Sequence, residues 1–389
     1  MKRNRPARSP RSSPALENLL HVANALGDSS SRLEDAFWES RLCQQIDKLL
    51  QAGEDELLNG ALDQLYQRGD RGYEALADIL ESRTESHTTP DGDDLLLIAL
   101  PILAWSRYAI PSGPVAPTLL DTVKVQLKAH VLAADVRLGL ADFLFSPEQL
   151  PPGFSDTARF CGTLGRQAQQ DHDLHIDAGQ MPEAMSFLSD TRYLLAVVAT
   201  RQGGPFFRWQ ETDGKRETAQ SCWQTQGGEA LRPLFPGCAL DAQLPLAFFS
   251  ACREADRAAR PYALKASVDF LNTVLTPKAG SLQATVAPFQ DEHRLVEYRI
   301  GFSLDDATKV VHGVVWPLLD NEDENTDITA QISTTLKQAG LSQINLLDQT
   351  FPTEYCDDCG APFYPTPEGD PVHAEMPEDD SPNVSRHLH

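Results

Sequence analysis

Through the first 150 residues the apolar positions recur at threes and fours. Ala15, Leu16, Leu19, Leu20, Ala23 and Leu26 make one such stripe before Gly27 and a polar break, which predicts a helix. Ser31, with Glu34 three places on, reads as a capping box for a second helix carrying Leu33, Phe37, Leu42, Ile46 and Leu49 on its buried side. Helical spacing resumes near 54–67 and 70–83, and the short Gly-containing junctions predict antiparallel neighbours. The apolar run 95–105 reads as an internal helix, and 119–145 restores a helical pattern interrupted around 133–135. Pro147, Pro151 and Pro152 close a mostly helical region, with a boundary near 150.

The pattern then changes period. The short branched run 192–200 predicts an interior strand, and Gly203, Gly204 and Pro205 separate it from a second candidate strand at 206–209. Residues 220–236 mix loop with short elements, while 245–258 and 262–275 predict helices. Three strands follow at 282–289, 296–304 and 309–318, joined by polar turns, so an antiparallel meander is expected. In the second of these Val296, Tyr298, Ile300 and Phe302 alternate with Glu297, Arg299, Gly301 and Ser303, one face buried and one polar. The third is more continuously apolar and suits the middle of the sheet, with Pro317 beyond the central ladder. A helix over 328–339, stopped by Gly340, leads to a last strand at 344–347.

That order supports an α+β fold over a doubly wound one, whose crossovers would separate successive parallel strands. The expected organisation is a flexible basic arm at 1–13, a helical domain at 14–150, and an α+β body at 190–350 of one or two subdomains. A knuckle-like segment at 351–376 and a flexible tail at 377–389 complete it.

Composition sharpens this picture in three ways. A formal charge of −23 over 389 residues argues against general nucleic-acid binding, which needs concentrated Lys and Arg. The exception is the arm with Lys2, Arg3, Arg5, Arg8 and Arg11, which could touch RNA, DNA or an anionic surface or be a plain disordered tail. No apolar segment has the length to cross a bilayer and no secretory leader is legible, so a cytoplasmic setting is expected. The 7 cysteines are scattered, which fits reduced thiols better than a disulfide framework.

The strongest chemical pattern is Cys356 and Cys359, two residues apart and followed by Gly360. Two thiolates so spaced can reach one tetrahedral ion, soft sulfur favours zinc, and glycine permits the tight turn. His373 is the nearest third ligand; His387, His389, Cys238 or Cys252 are candidates for a fourth. Two free thiols, or a redox pair, are the competing readings, and Asp357 and Asp358 oppose thiolate formation. His172 and His175 among Asp171, Asp173 and Asp177 read as a polar loop or a weaker metal site. His312 could work with Glu297 or Asp269, or be a hydrogen-bonded strand histidine. Cys252, near Arg257 and Arg260 but also Glu254 and Asp256, is a further nucleophile candidate. The aromatic and arginine groups at 105–108 and 206–209 suit either binding or core packing. No phosphate-binding Gly-rich loop or nucleophile elbow is present in the sequence, so catalytic residues stay unassigned.

Several longer stretches carry a resemblance. Trp105-Ser106-Arg107-Tyr108-Ala109-Ile110-Pro111-Ser112-Gly113 and Tyr355-Cys356-Asp357-Asp358-Cys359-Gly360-Ala361-Pro362, with 31–39, 250–257 and 312–317, resemble a domain-of-unknown-function family of beta-proteobacterial proteins, DUF2863. The resemblance runs through nearly the whole chain outside the basic arm and implies a bacterial cytoplasmic protein. It brings no substrate, cofactor or catalytic residue with it. The expected function is a noncatalytic protein-interaction or regulatory module with a structural zinc knuckle at Cys356, Cys359 and His373 and a protein partner. An enzyme with a cleft between the helical and α+β parts is the alternative, and weak nucleic-acid binding through the arm is the third.

Overall fold

The structure, a computed structural model, describes residues 13–275, 281–292, 294–304, 309–319, 322 and 326–376. The basic residues of the arm, the 377–389 tail with His387 and His389, and most of the acidic loop near 320–325 lie outside the described residues.

Four helices open the chain: α1 (Pro14–Gly27), α2 (Arg32–Ala52), α3 (Asp55–Arg68) and α4 (Gly72–Glu85). Ser31 caps α2 as predicted, with the Glu34 N–H donating to Ser31 Oγ at 3.2 Å, but the Glu34 carboxylate accepts from the Ser30 N–H at 3.1 Å, one residue before the partner a capping box would use. Leu19, Leu42, Ile46, Leu58, Leu65 and Leu80 meet in the bundle core. Leu33 and Phe37 do not join them. Leu33 lies nine positions from Leu42, a rotation of about 180° at 3.6 residues per turn, so it faces out and is 88% exposed. The Arg41 guanidinium covers the Phe37 ring instead, 4.4 Å from its centroid.

A first sheet follows. Its strands are β1 (Ser86–Thr88), β2 (Asp93–Trp105) and β4 (Arg137–Leu140), reached past β3 (Gly113–Pro114) and α5 (Pro117–His130). After β5 (Phe143–Leu144) and α6 (Phe154–Ala168) come β6 (Ser189–Arg201), short helices α7 (Arg216–Cys222) and α8 (Gly228–Leu231), then β7 (Ala239–Ala242) and β8 (Leu246–Ala247). The order is β1-β2-β6-β4, with β7 and β8 also pairing β2. The run 95–105 is therefore a central strand and not a helix, paired antiparallel with β6 from Asp93↔Arg201 to Trp105↔Ser189. An apolar run buried on both faces has no alternation to separate strand from helix. Pro101 fits because β7 pairs 102–105 and β8 pairs 98–99, leaving the missing donor in the gap between them. The helical pattern over 119–145 also ends early, at His130, and β4 and β5 replace its second half. Residues 206–209 form a turn and not a strand, with the Phe207 and Trp209 rings stacked at 4.4 Å. This sheet joins residues from both sides of position 150.

The helices expected at 245–258 and 262–275 are one, α9 (Phe248–Val274), with Pro261 inside it. It links to the second sheet: β9 (Leu282–Asp291), β10 (Arg294–Leu304) and β11 (Val310–Pro317), then α10 (Ile328–Gln338), β12 (Gln343–Leu346) and β13 (Phe351–Pro352). The meander is antiparallel as expected, and β12 and β13 add to β9 in parallel. β11 is an edge and not the middle of the order β11-β10-β9-β12. Its continuous hydrophobicity is accounted for by α9 on one face and the C-terminal segment on the other. Leu264, Val268 and Leu271 of α9 pack with Ile300, Phe302 and Trp316 of the sheet and Ile332 and Leu336 of α10. A last hairpin joins β14 (Tyr364–Pro365) to β15 (Pro371–Val372). The fold is α+β. No helix among the described residues is long and apolar enough to cross a membrane.

Candidate metal centre and ligand cavity

Residues 355–362 close a tight turn: the Cys356 N–H donates to the Ala361 carbonyl and the Gly360 N–H to the Cys356 carbonyl, both at 2.8 Å. Gly360 takes the left-handed φ of 72° that this turn requires. The β14–β15 hairpin returns the chain so that His373 faces the turn. Cys356, Cys359 and His373 each offer a ligand atom within 4.8 Å of the others, and Cys359 Sγ lies 3.2 Å from His373 Nε2. The backbone N–H groups of Asp358 and Cys359 lower the Cys356 thiol below its ordinary value, against the opposing charge of Asp358. These donors, invisible in the sequence, outweigh the carboxylate that argued against a thiolate. Soft sulfur with imidazole suits zinc.

The candidate fourth ligands fare differently. Cys238 and Cys252 are not part of the group. The Cys252 thiol is pushed up to about 12, first by burial and then by Asp256 and Glu85, which makes it a packed thiol and not an activated nucleophile. Among the described residues no other cluster of three His, Cys, Asp or Glu side chains is close enough to hold an ion. Asp171 and Asp173 instead accept from the Leu138 and Leu140 N–H groups at 3.0 and 2.9 Å, bracing β4, and His175 bonds Asp142 at 2.7 Å.

The turn is fastened to the second sheet by Arg299. The alternation of β10 put this residue on a polar face; in the structure it is fully buried beneath the C-terminal segment. Its Nε donates to Glu297 at 2.6 Å, and its Nη1 donates to the carbonyls of Glu354 at 2.7 Å and Phe363 at 2.9 Å, either side of the turn. The guanidinium also sits over Phe289 at 4.4 Å and Tyr355 at 5.0 Å. Gly301 and Gly313 pair across β10 and β11 and make room for the hairpin. A Cβ at Gly313 would stand 2.3 Å from the Tyr364 ring, and one at Gly301 would stand 2.4 Å from the Pro365 carbonyl.

Beside the turn is a cavity of about 1120 Å³, walled by the ends of β2 and β6, by α9, by β11 and by the turn itself. Gly360 and His373 line it, together with Trp105, Phe270, Val311 and Met376 among others. Its walls are largely apolar, as small-molecule sites are. His312 Nε2 and Ser267 Oγ lie 3.0 Å apart on the wall, with the imidazole between Phe270 and Phe302. Burial pushes His312 down to about 4, so it is neutral. Its proposed acids are not partnered with it: Glu297, also on the wall, is taken by Arg299, and Asp269 lies on the exposed side of α9. Arg260, also on the wall, is clamped by Glu322 at 2.6 and 3.0 Å. The loop after β2 is strapped by the buried Arg192, which donates to the Pro111 and Ile110 carbonyls at 2.8 and 3.1 Å and pairs with Asp190. Sequence reasoning missed both Arg192 and Arg299; an arginine inside an otherwise apolar strand was the available signal for the first.

Three of the stretches that carried the resemblance build this region: 105–113 and 312–317 wall the cavity or its strapped loop, and 355–362 forms the turn. A family model described as "Protein of unknown function (DUF2863)" matches residues 4–387. The chain belongs to this family. No curated protein and no protein of solved structure matches the chain.

Proposed function

We propose that this DUF2863 protein is a noncatalytic regulatory module of the cytoplasm, in which zinc bound by Cys356, Cys359 and His373 holds one wall of a small-molecule cavity. The observation that carries the reading is that Gly360 of the turn and the facing ligand His373 both line the cavity, so metal and ligand would act on one unit. Thiolate coordination supplies folding free energy to a segment with little apolar core of its own, and a reducing compartment keeps the thiols available. A protein partner would meet the turn at its exposed residues, among them Tyr355, which is 53% exposed.

Metal content measured by elemental mass spectrometry on untagged, reduced protein tests the reading. About one zinc per chain is expected, lost in the Cys356→Ser, Cys359→Ser double variant. Metal-free protein from chelator-free purification would reject it.

One observation favours a second reading, an acyl-transfer enzyme: Ser267 and a neutral His312 are hydrogen-bonded on the cavity wall, the pairing of a nucleophile with its base. Labelling of Ser267 by a fluorophosphonate would support it. The noncatalytic reading expects none, since Ser267 is only 2% exposed and His312 sits between two rings.

A further inference from the structure

Resting on the zinc reading above, we infer that the metal keeps one exchangeable coordination position open to the cavity, so that it binds the head group of an amphipathic ligand directly.

Three observations converge on this. First, the ligand set on the described residues is two thiolates and one imidazole, and a tetrahedral ion takes one donor more. Second, the set is not sealed. Cys359 is exposed and Cys356 and His373 are part-exposed, whereas structural zinc sites are closed by protein on every side. Third, the ligand set adjoins the cavity through its imidazole: the wall includes His373 and Ala374, and Gly360, Ala361 and Pro362 immediately after Cys359, while the two cysteines stand just behind it.

The rest of the wall defines the ligand's other end. Leu103, Phe270, Val274, Val311, Leu318 and Met376 offer apolar contact in a space of about 1120 Å³. Of the three carboxylates on the wall, Asp190 is engaged by Arg192 and Glu297 by Arg299, and Asp256 stands on α9 away from the metal-ligating turn. The chemistry recognised is therefore an apolar body carrying an anionic, metal-binding head such as a hydroxamate, carboxylate or thiolate. The metal would fix the head while the cavity selects the body, which makes affinity rise with chain length. A purely structural zinc predicts neither exchange at the metal nor any dependence on the ligand's tail.

The test is cobalt substitution in the full chain, with the visible absorption of the bound Co²⁺ as readout. Octanohydroxamate and acetohydroxamate present the same head with different tails. The expected result is a change in the cobalt spectrum with both, at a concentration at least about tenfold lower for the octanoyl compound. The Ala263→Phe variant, which narrows the cavity from α9, is expected to bind cobalt normally and lose that advantage. The His387→Ala, His389→Ala double variant is expected to leave the cobalt spectrum unchanged. A spectrum indifferent to both hydroxamates, or one altered by removing the tail histidines, would mean that the protein fills the fourth position and overturns the inference while the zinc reading stands. Equal potency of the two hydroxamates would overturn the link to the cavity. Failure to take up cobalt or zinc at all would remove the metal reading itself, and the inference with it.

Discussion

The two larger sheets of this protein are both covered on both faces, and they achieve it by different means. In the first, β2 and β6 are apolar along most of their length, and Leu95, Leu97, Ile98, Leu194, Leu195 and Val197 are all at most 1% exposed. Helices close over such a surface without needing one particular contact. In the second, β10 alternates as a half-solvated strand does, yet its polar side is buried beneath residues 351–365. That cover depends on one guanidinium and two paired glycines. A cover made of apolar area degrades by increments, and one made of a buried charge and a close backbone approach fails at single positions.

The largest expected effect tests this directly. Arg299→Met removes a buried charge and leaves Glu297 and the Glu354 and Phe363 carbonyls without their donor, a loss of about 3–5 kcal/mol for breaking one partner of such a pair. The loss should fall on the turn: zinc affinity decreases and limited proteolysis cuts within 353–363, while amides of β2 and β6 keep their protection from hydrogen exchange. Leu195→Ala should do the reverse, costing about 2–5 kcal/mol globally with the turn no more cleavable than the rest of the chain. Equal susceptibility of the turn in the two variants would dissolve the distinction.

A smaller effect is expected at the glycine pair. Gly313→Val places side-chain atoms where the Tyr364 ring lies, since even a Cβ would be 2.3 Å from it. Overpacking of this kind costs about 1–3 kcal/mol, and here Tyr364 should move outward and carry the β14–β15 hairpin, and with it His373, away from the cysteines. Reduced zinc retention in the variant, at an unchanged far-ultraviolet spectrum, is the expected measurement. Full zinc occupancy would show that the hairpin does not depend on this contact.

The same difference decides what could be read before the structure was known. The helices α1 to α4, the three-stranded meander and α10 follow from local period and end signals, and the Cys356, Cys359 and His373 group follows from spacing within one short segment. The strand at 93–105 did not, because burial on both faces erases the alternation that marks a strand. Arg299 was legible only as a polar-face residue, since the cover that buries it comes from residues more than fifty positions away. The place of β11 at the edge was hidden for a related reason: its partners on both faces are α9 and the last hairpin and not neighbouring strands. The cavity is a property of five elements at once and has no local signal at all.

A buried carboxyl at the joint between the bundle and the first sheet sets a third case beside these two. Glu85, at the end of α4, accepts from the Phe249 N–H in the first turn of α9 at 2.9 Å. A helix N-terminus favours the charged form. Burial nevertheless wins and pushes Glu85 up to about 7, with Glu81 adding to the rise and Arg253, itself bonded to Glu81, only partly offsetting it. Because the folded value lies above the unfolded one of 4.5, the folded state binds the proton more tightly. The contribution is therefore complete below about 4.5 and is lost as pH rises through about 7. Glu85→Gln keeps an oxygen to accept from Phe249 and cannot ionise. Relative to the native chain it should gain about 2–3 kcal/mol between pH 5 and pH 8, read from urea midpoints at the two values. If the gain at Glu85 is missing, the N–H of Phe249 is sufficient to keep its carboxylate ionised, and the joint resembles the guanidinium dock more than the apolar sheet.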